Sequence, residues 1–153
     1  MELHRTSIYE TVFTIFCISI GVAVATYLSP KDSYFFGNFT FYWLPQAIVL
    51  AILFIARYKL PIICGTALIL SAYLACFHLW LFSKPHPESM AWLGYIFSFP
   101  GAAIGALIAA PIAKHFEIKR SFLLGATALL ITFVGLALNQ ALICTTVMYC
   151  SIM

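Results

Sequence analysis

The side chains able to do chemistry inside this chain are few, because nearly every charged residue stands outside its long apolar runs. Glu10, Gln46, His78, Ser98, Asn139 and Gln140 are the candidates within them. Polar groups within a membrane are costly, so they are the first place to look for function. All but Glu10 fall in the half of their run that the topology below places toward the outer surface. They are therefore expected to converge on a small polar site, open to the outside, that holds a ligand or a partner. The competing use of these residues is interhelical hydrogen bonding, the ordinary role of amides and hydroxyls in membrane bundles.

His78 by itself does not make a haem or proton-relay site, which needs a second intramembrane ligand or an acidic partner. The other histidines, His4, His86 and His115, stand in tails or loops. No metal or other cofactor is expected. Glu10 is the one carboxylate within a run. It is a candidate for proton coupling in a small oligomeric transporter, or for a solvated residue about one turn into the span that pairs with Arg5. Enzyme chemistry has no foothold: there is no H-E-x-x-H, no G-x-S-x-G, no glycine-rich phosphate loop leading to a lysine, and no pair of buried carboxylates.

The elements that must position these residues follow from composition. Of 153 residues, 63% are hydrophobic and only 8% charged, against about a quarter charged in a soluble domain. A span takes roughly 20 residues, so the chain reads as a single transmembrane domain, 1–153. Neither a soluble catalytic module nor a nucleic-acid-binding one has room. The net charge of +3 is spread over short clusters between apolar runs. That is a topology signal rather than a nucleic-acid footprint, and it makes membrane lipids the constant partner.

Helices are expected at about 8–28, 39–56, 60–82, 90–113 and 121–149, each long enough to cross a bilayer at about 1.5 Å per residue. The first break is Ser29-Pro30-Lys31-Asp32-Ser33, and the next is Arg57-Tyr58-Lys59. Ser83 to Ser89, with two prolines, and Lys114 to Arg120 supply the others. Asn139-Gln140 interrupts the fifth run, which leaves residues 141–153 either as a tail or as the last turns of a tilted helix.

Orientation follows from lysine and arginine. With the N-terminus inside, the inner segments hold Arg5, Arg57, Lys59, Lys114, Lys119 and Arg120, and the outer loops hold Lys31 and Lys84. This bias places the N-terminus in the cytoplasm and the C-terminus outside. The aromatic residues give an independent check, since Trp43, Trp80, Trp92, Tyr27, Tyr34, Tyr42 and Tyr95 then lie toward the outer boundary, where amphipathic rings collect. Ala23-Val24-Ala25 has the form of a signal-peptidase site, but Glu2 and Glu10 beside Arg5 do not make a basic leader, so an uncleaved first span is expected.

The five cysteines have neither C-x-x-C nor metal-site spacing. Cys17, Cys64 and Cys76 lie within apolar runs and read as small hydrophobes, while Cys144 and Cys150 can oxidise if their end faces an oxidising compartment. The strongest local motif lies between Pro100 and Pro111, where Gly101, Gly105 and Ala109 form a stripe of small residues that lets another helix approach closely. Its partner is either a helix of the same chain or a second copy. Pro100 should bend this helix or remove one of its hydrogen bonds.

From Trp43 the chain reads Trp43-Leu44-Pro45-Gln46-Ala47, an apolar helix to Ala56, then Arg57-Tyr58-Lys59-Leu60-Pro61-Ile62-Ile63-Cys64-Gly65. This segment, residues 43–65, resembles the opening of the bacterial membrane-associated sensor domain of the first MASE class. Its members show a W-x-P-x-[AGS] start, an apolar helix, a basic turn and then P-x-x-x-G. The resemblance implies sensing at the membrane on behalf of a signalling enzyme. It also implies roughly eight spans and a cytoplasmic output domain, whereas this chain reads as five spans.

The fold class expected is an all-α integral membrane protein, a bundle of five transmembrane helices. Its expected function is non-enzymatic: a bacterial inner-membrane sensor or binding module acting through a membrane signalling protein. Two alternatives stay open, an immunity protein that protects the membrane against a toxin, and a small homo-oligomeric proton-coupled transporter.

Overall fold

A computed structural model describes residues 2–83 and 91–146, with side chains from Ile8 onward in the first helix and from Trp92 onward after the gap. It is all-helical among the described residues. The helices are α1 (Glu2–Leu28), α2 (Phe35–Ile55), α3 (Leu60–Phe82), α4 (Ala91–Phe97), α5 (Phe99–His115) and α6 (Ser121–Thr146). Five segments are long and apolar enough to cross a membrane: Ile8–Leu28, Phe35–Ile55, Leu60–Phe82, Trp92–His115 and Ser121–Thr146. Large apolar side chains also face outward along them, such as Phe13 and Phe16 on α1 and Phe133 and Leu138 on α6. In water such a surface would drive aggregation, whereas lipid solvates it. The chain is a multi-pass membrane protein.

Two boundaries differ from the expectation. The second span begins at Phe35 rather than 39, because the Asp32 carboxylate accepts the Tyr34 N–H at 2.8 Å and the Asp32 carbonyl accepts the Phe35 N–H at 3.1 Å. This turn starts the helix one turn early. The fourth span is two helices, broken at Ser98 just before Pro100. The last helix runs through Asn139 and Gln140 to Thr146, and residues 147–153, which include Cys150, lie outside the described residues.

The two tight turns share one design. After α2, Ala56 caps the helix, Arg57 takes φ 57°, and the Tyr58 N–H bonds the Leu53 carbonyl at 3.0 Å. After α5, Phe116 caps, Glu117 takes φ 50°, and the Ile118 N–H bonds the Ala113 carbonyl at 2.9 Å. Each is a Schellman ending with a left-handed residue, normally a glycine's place. Pro61 then sits in the first turn of α3, where a missing N–H costs nothing. Both turns and the N-terminal part of α1 lie at one end of the bundle, since Thr14 Oγ1 donates to the Leu60 carbonyl at 3.2 Å and Ser121 Oγ donates to Glu10 Oε1. That end carries Arg57, Lys59, Lys114, Lys119 and Arg120.

In the core, α3 is the most buried span and packs against α1 and α6, while α5 lies along α6. Close approach comes from missing side chains. A Cβ built on Gly65 would stand 2.9 Å from the Gly125 carbonyl carbon and nearer still to its oxygen. One on Gly105 would meet the Ile131 carbonyl oxygen at 2.7 Å, and one on Gly101 would strike Asn139 and the Gly135 backbone. The small-residue stripe, with Ala109 fully buried, therefore faces α6 of the same chain.

Cys17 and Cys64 correct the reading of them as small hydrophobes. A disulfide joins them between α1 and α3, with Cα atoms 5.4 Å apart and both residues buried. Cys144 is also disulfide-bonded, whereas Cys76 is free and exposed.

Candidate functional site

The break in the fourth span creates the most polar layer of the bundle. Pro100 has no N–H to offer the Ile96 carbonyl, and the span breaks just before it, at Ser98. Ser98 instead turns its amide to the Tyr95 carbonyl at 3.2 Å and donates its hydroxyl to the Gly94 carbonyl at 2.7 Å. Asn139 Nδ2 on α6 donates to the Phe97 carbonyl beside the break. Side chains thus meet the Gly94 and Phe97 carbonyls on either side of the Ile96 carbonyl that the proline leaves without its usual partner.

Around Ser98 three spans meet through side chains alone. Tyr73 Oη on α3 lies 2.6 Å from Ser98 Oγ and 3.4 Å from Gln140 Oε1 on α6, and Ser98 Oγ also contacts Gln140 Oε1 directly. The contacts of Ser98 Oγ with Tyr73, Gly94 and Gln140 are three, while the two hydroxyls bring one proton each. With Tyr73 donating to Ser98 and Ser98 to the Gly94 carbonyl, a half-turn of the Gln140 carboxamide presents its Nε2 to Ser98 as the remaining donor, so the layer can pair fully. Ser98 is fully buried, and leaving one of its partners unpaired would cost about 1–3 kcal/mol.

A second polar cluster adjoins it. Tyr95 Oη donates to the Tyr42 carbonyl at 2.9 Å and accepts from Gln46 Nε2 at 3.3 Å, while Gln46 Nε2 also reaches the Tyr42 carbonyl at 3.2 Å. The Tyr73 and Tyr95 rings stack at 5.7 Å and join the two clusters. Gly21 on α1 makes room for the arrangement, since a Cβ there would lie 2.8 Å from both Ser71 Oγ and the Trp43 ring and 3.4 Å from Gln46 Oε1.

Of the candidates expected from the sequence, Ser98, Asn139 and Gln140 come together at the break, and Gln46 joins them through Tyr95. His78 does not enter their hydrogen bonds. Its ring packs 4.4 Å from Phe82 and 6.3 Å from Trp92, and its Nδ1 is buried with no hydrogen-bond partner. Among the described residues, no three His, Cys, Asp or Glu side chains gather as metal ligands would. Tyr73 escapes a sequence reading, because a lone tyrosine in an apolar run carries no signal. Tyr42 and Tyr95, expected toward the outer boundary, are buried among the helices and form an aromatic core with Phe77 and Trp92. Trp80, Tyr27 and Tyr34 are exposed, as a belt residue would be.

Glu10 stands apart at the basic end, accepting from Ser121 Oγ. It lines a cavity of about 470 Å³ between α1, α3 and α6, whose walls include Phe13, Thr14, Cys64, Leu68 and Leu129. No family model, curated protein or solved structure matches this chain.

Proposed function

We propose that this is a non-enzymatic sensor or binding module of the bacterial inner membrane, with its N-terminus in the cytoplasm, that acts through a partner. The observation that carries this reading is the buried polar layer of Tyr73, Ser98 and Gln140, which ties three spans together at the break of the fourth span. A polar group of a ligand or partner that competes for these hydrogen bonds changes which of them Ser98 keeps, those of its own helix or those to α3 and α6. A ligand that binds one of these arrangements better shifts the balance between them and with it the seating of α4 and α5 on α6. The similarity of residues 43–65 to a membrane sensor domain supports the same reading, and the basic end supports the orientation.

Crosslinking in native membranes, affinity purification and mass spectrometry test it. Recovery of a kinase, a cyclase or another signalling enzyme supports the adaptor role, whereas recovery of a toxin would replace it with immunity. Recovery of this chain alone contradicts action through a partner.

A second reading has its own observation, the cavity that Glu10 lines. In an oligomer, a carboxylate at such a cavity is a proton-coupling site for a transporter. Glu10→Gln should then abolish proton-driven efflux in everted vesicles, and unchanged efflux would remove this reading.

A further inference from the structure

The basic end of the bundle holds a second cavity that the proposed function does not use. It has a volume of about 920 Å³ and lies between the α2–α3 and α5–α6 turns. Arg57, Lys59, Lys114 and Lys119 line it, all exposed, with Glu117 the one carboxylate among its lining residues. Its remaining wall is apolar, formed in part by Ile62, Ala113 and Leu124. Both the charge and the depth are specific. The Schellman bonds already occupy the carbonyls of Leu53, Phe54, Ala113 and Lys114, so the negative ends of α2 and α5 are partly closed off from the space between them. Tyr58 pins one wall by donating its hydroxyl to the Leu107 carbonyl at 2.8 Å. The cavity opens where the apolar spans end at Ile55, Leu60, His115 and Ser121, which is the depth of the lipid headgroups.

We propose that this cavity binds an anionic phospholipid headgroup carrying two phosphates, of the cardiolipin type, with the cations on the phosphates and the apolar wall along the start of the acyl chains. Basic pockets between transmembrane helices are suited to such headgroups. Four cations gathered from two turns exceed what a single phosphate needs. A soluble pyrophosphate shares the charge but not the chains, so the apolar wall favours the lipid.

The full chain, purified in detergent, is titrated with cardiolipin, with phosphatidylglycerol at equal total charge, with phosphatidylcholine and with free pyrophosphate, and binding is read by native mass spectrometry and thermal stabilisation. Cardiolipin should bind most tightly. Each neutralised cation should weaken it about fivefold, so the double change Lys59→Gln and Lys119→Gln should weaken it by roughly 25-fold. Lys31→Gln, at the opposite end, should leave it unchanged. Glu117→Gln should tighten it about fivefold, a gain that a poorly folded variant would not show. Equal response to phosphatidylglycerol would reduce the site to general surface charge. Pyrophosphate binding as tight as cardiolipin would make it a soluble-anion site, and indifference to the lysine changes would remove it. Each of these three results overturns the proposal.

Discussion

Replacing Gly65 by alanine tests how the bundle is held together, because the same change at Gly37 supplies the control. At Gly65 the added methyl would stand 2.9 Å from the Gly125 carbonyl carbon and 3.2 Å from its Cα, where an ordinary carbon contact is about 3.5–4.0 Å. The obstacle is backbone, which cannot rotate away, so α3 and α6 must separate by roughly 0.5–1 Å. A gap of that size forfeits about a quarter to a half of each dispersion contact along the seam, and overpacking typically costs about 1–3 kcal/mol. Alanine's advantage over glycine in a helix, up to about 1 kcal/mol, offsets part of this. At Gly37 nothing lies within 4 Å of the added methyl, and only the helix term remains. The two variants should therefore differ in stability by about 1–3 kcal/mol, with Gly37→Ala the more stable. Unfolding in mixed micelles, followed by far-ultraviolet circular dichroism, measures the difference. Equal shifts in the two variants would show that α3 and α6 do not meet through Gly65 and Gly125, and would refute close glycine packing as the source of this seam.

Further expectations follow from the polar layer, the cysteines and the turns. Tyr73→Phe and Gln140→Leu should each cost about 0.6 kcal/mol and at most about 1.7, and a double-mutant cycle should show coupling between them that is absent between Tyr73 and Thr26. Under denaturing, non-reducing conditions a maleimide should label Cys76 but reach Cys17 and Cys64 only after reduction. Labelling of Cys17 without reductant would exclude the disulfide, and its removal by Cys17→Ala should cost about 2–4 kcal/mol. Glu117→Gly should stabilise the fold by up to about 1 kcal/mol in the same unfolding assay, because glycine takes a left-handed φ without penalty. A loss of stability would mean that Glu117 is held by something other than its backbone turn.

Much of the architecture was legible because bilayer thickness dictates it. The first and third spans, Ile8–Leu28 and Leu60–Phe82, fall where the apolar runs place them, since charge and turn residues bound them sharply. Pro100 pointed to the break at Ser98, whereas Pro45 and Pro111 sit inside helices that continue past them, so a missing N–H alone does not decide where a span breaks. What stayed hidden was rotation. The spans are apolar around most of their circumference, so sequence pattern does not say which face turns inward. Pairing of Cys17 with Cys64 depends on just that rotation of α1 against α3. The same holds for the burial of Tyr42 and Tyr95, because the interface rule speaks of a ring's depth in the membrane and not of whether it faces lipid or the other helices. The start of α2 was missed for a local reason, the side-chain turn of Asp32, which apolar counting does not see. Gln46, Ser98, Asn139 and Gln140 were visible as polar residues in apolar runs. That Tyr73 links two of them could be read only from the fold.

Engagement of a partner under the control of the Tyr73, Ser98 and Gln140 layer is the centre of the proposed function. Its most direct test is parallel crosslinking and purification of the wild type and of Ser98→Ala from native membranes, at matched expression, with the recovered proteins quantified by mass spectrometry. A signalling partner should copurify with the wild type and fall several-fold with Ser98→Ala, while the variant remains folded and membrane-inserted. Equal recovery from both, or recovery of this chain alone from the wild type, would contradict it.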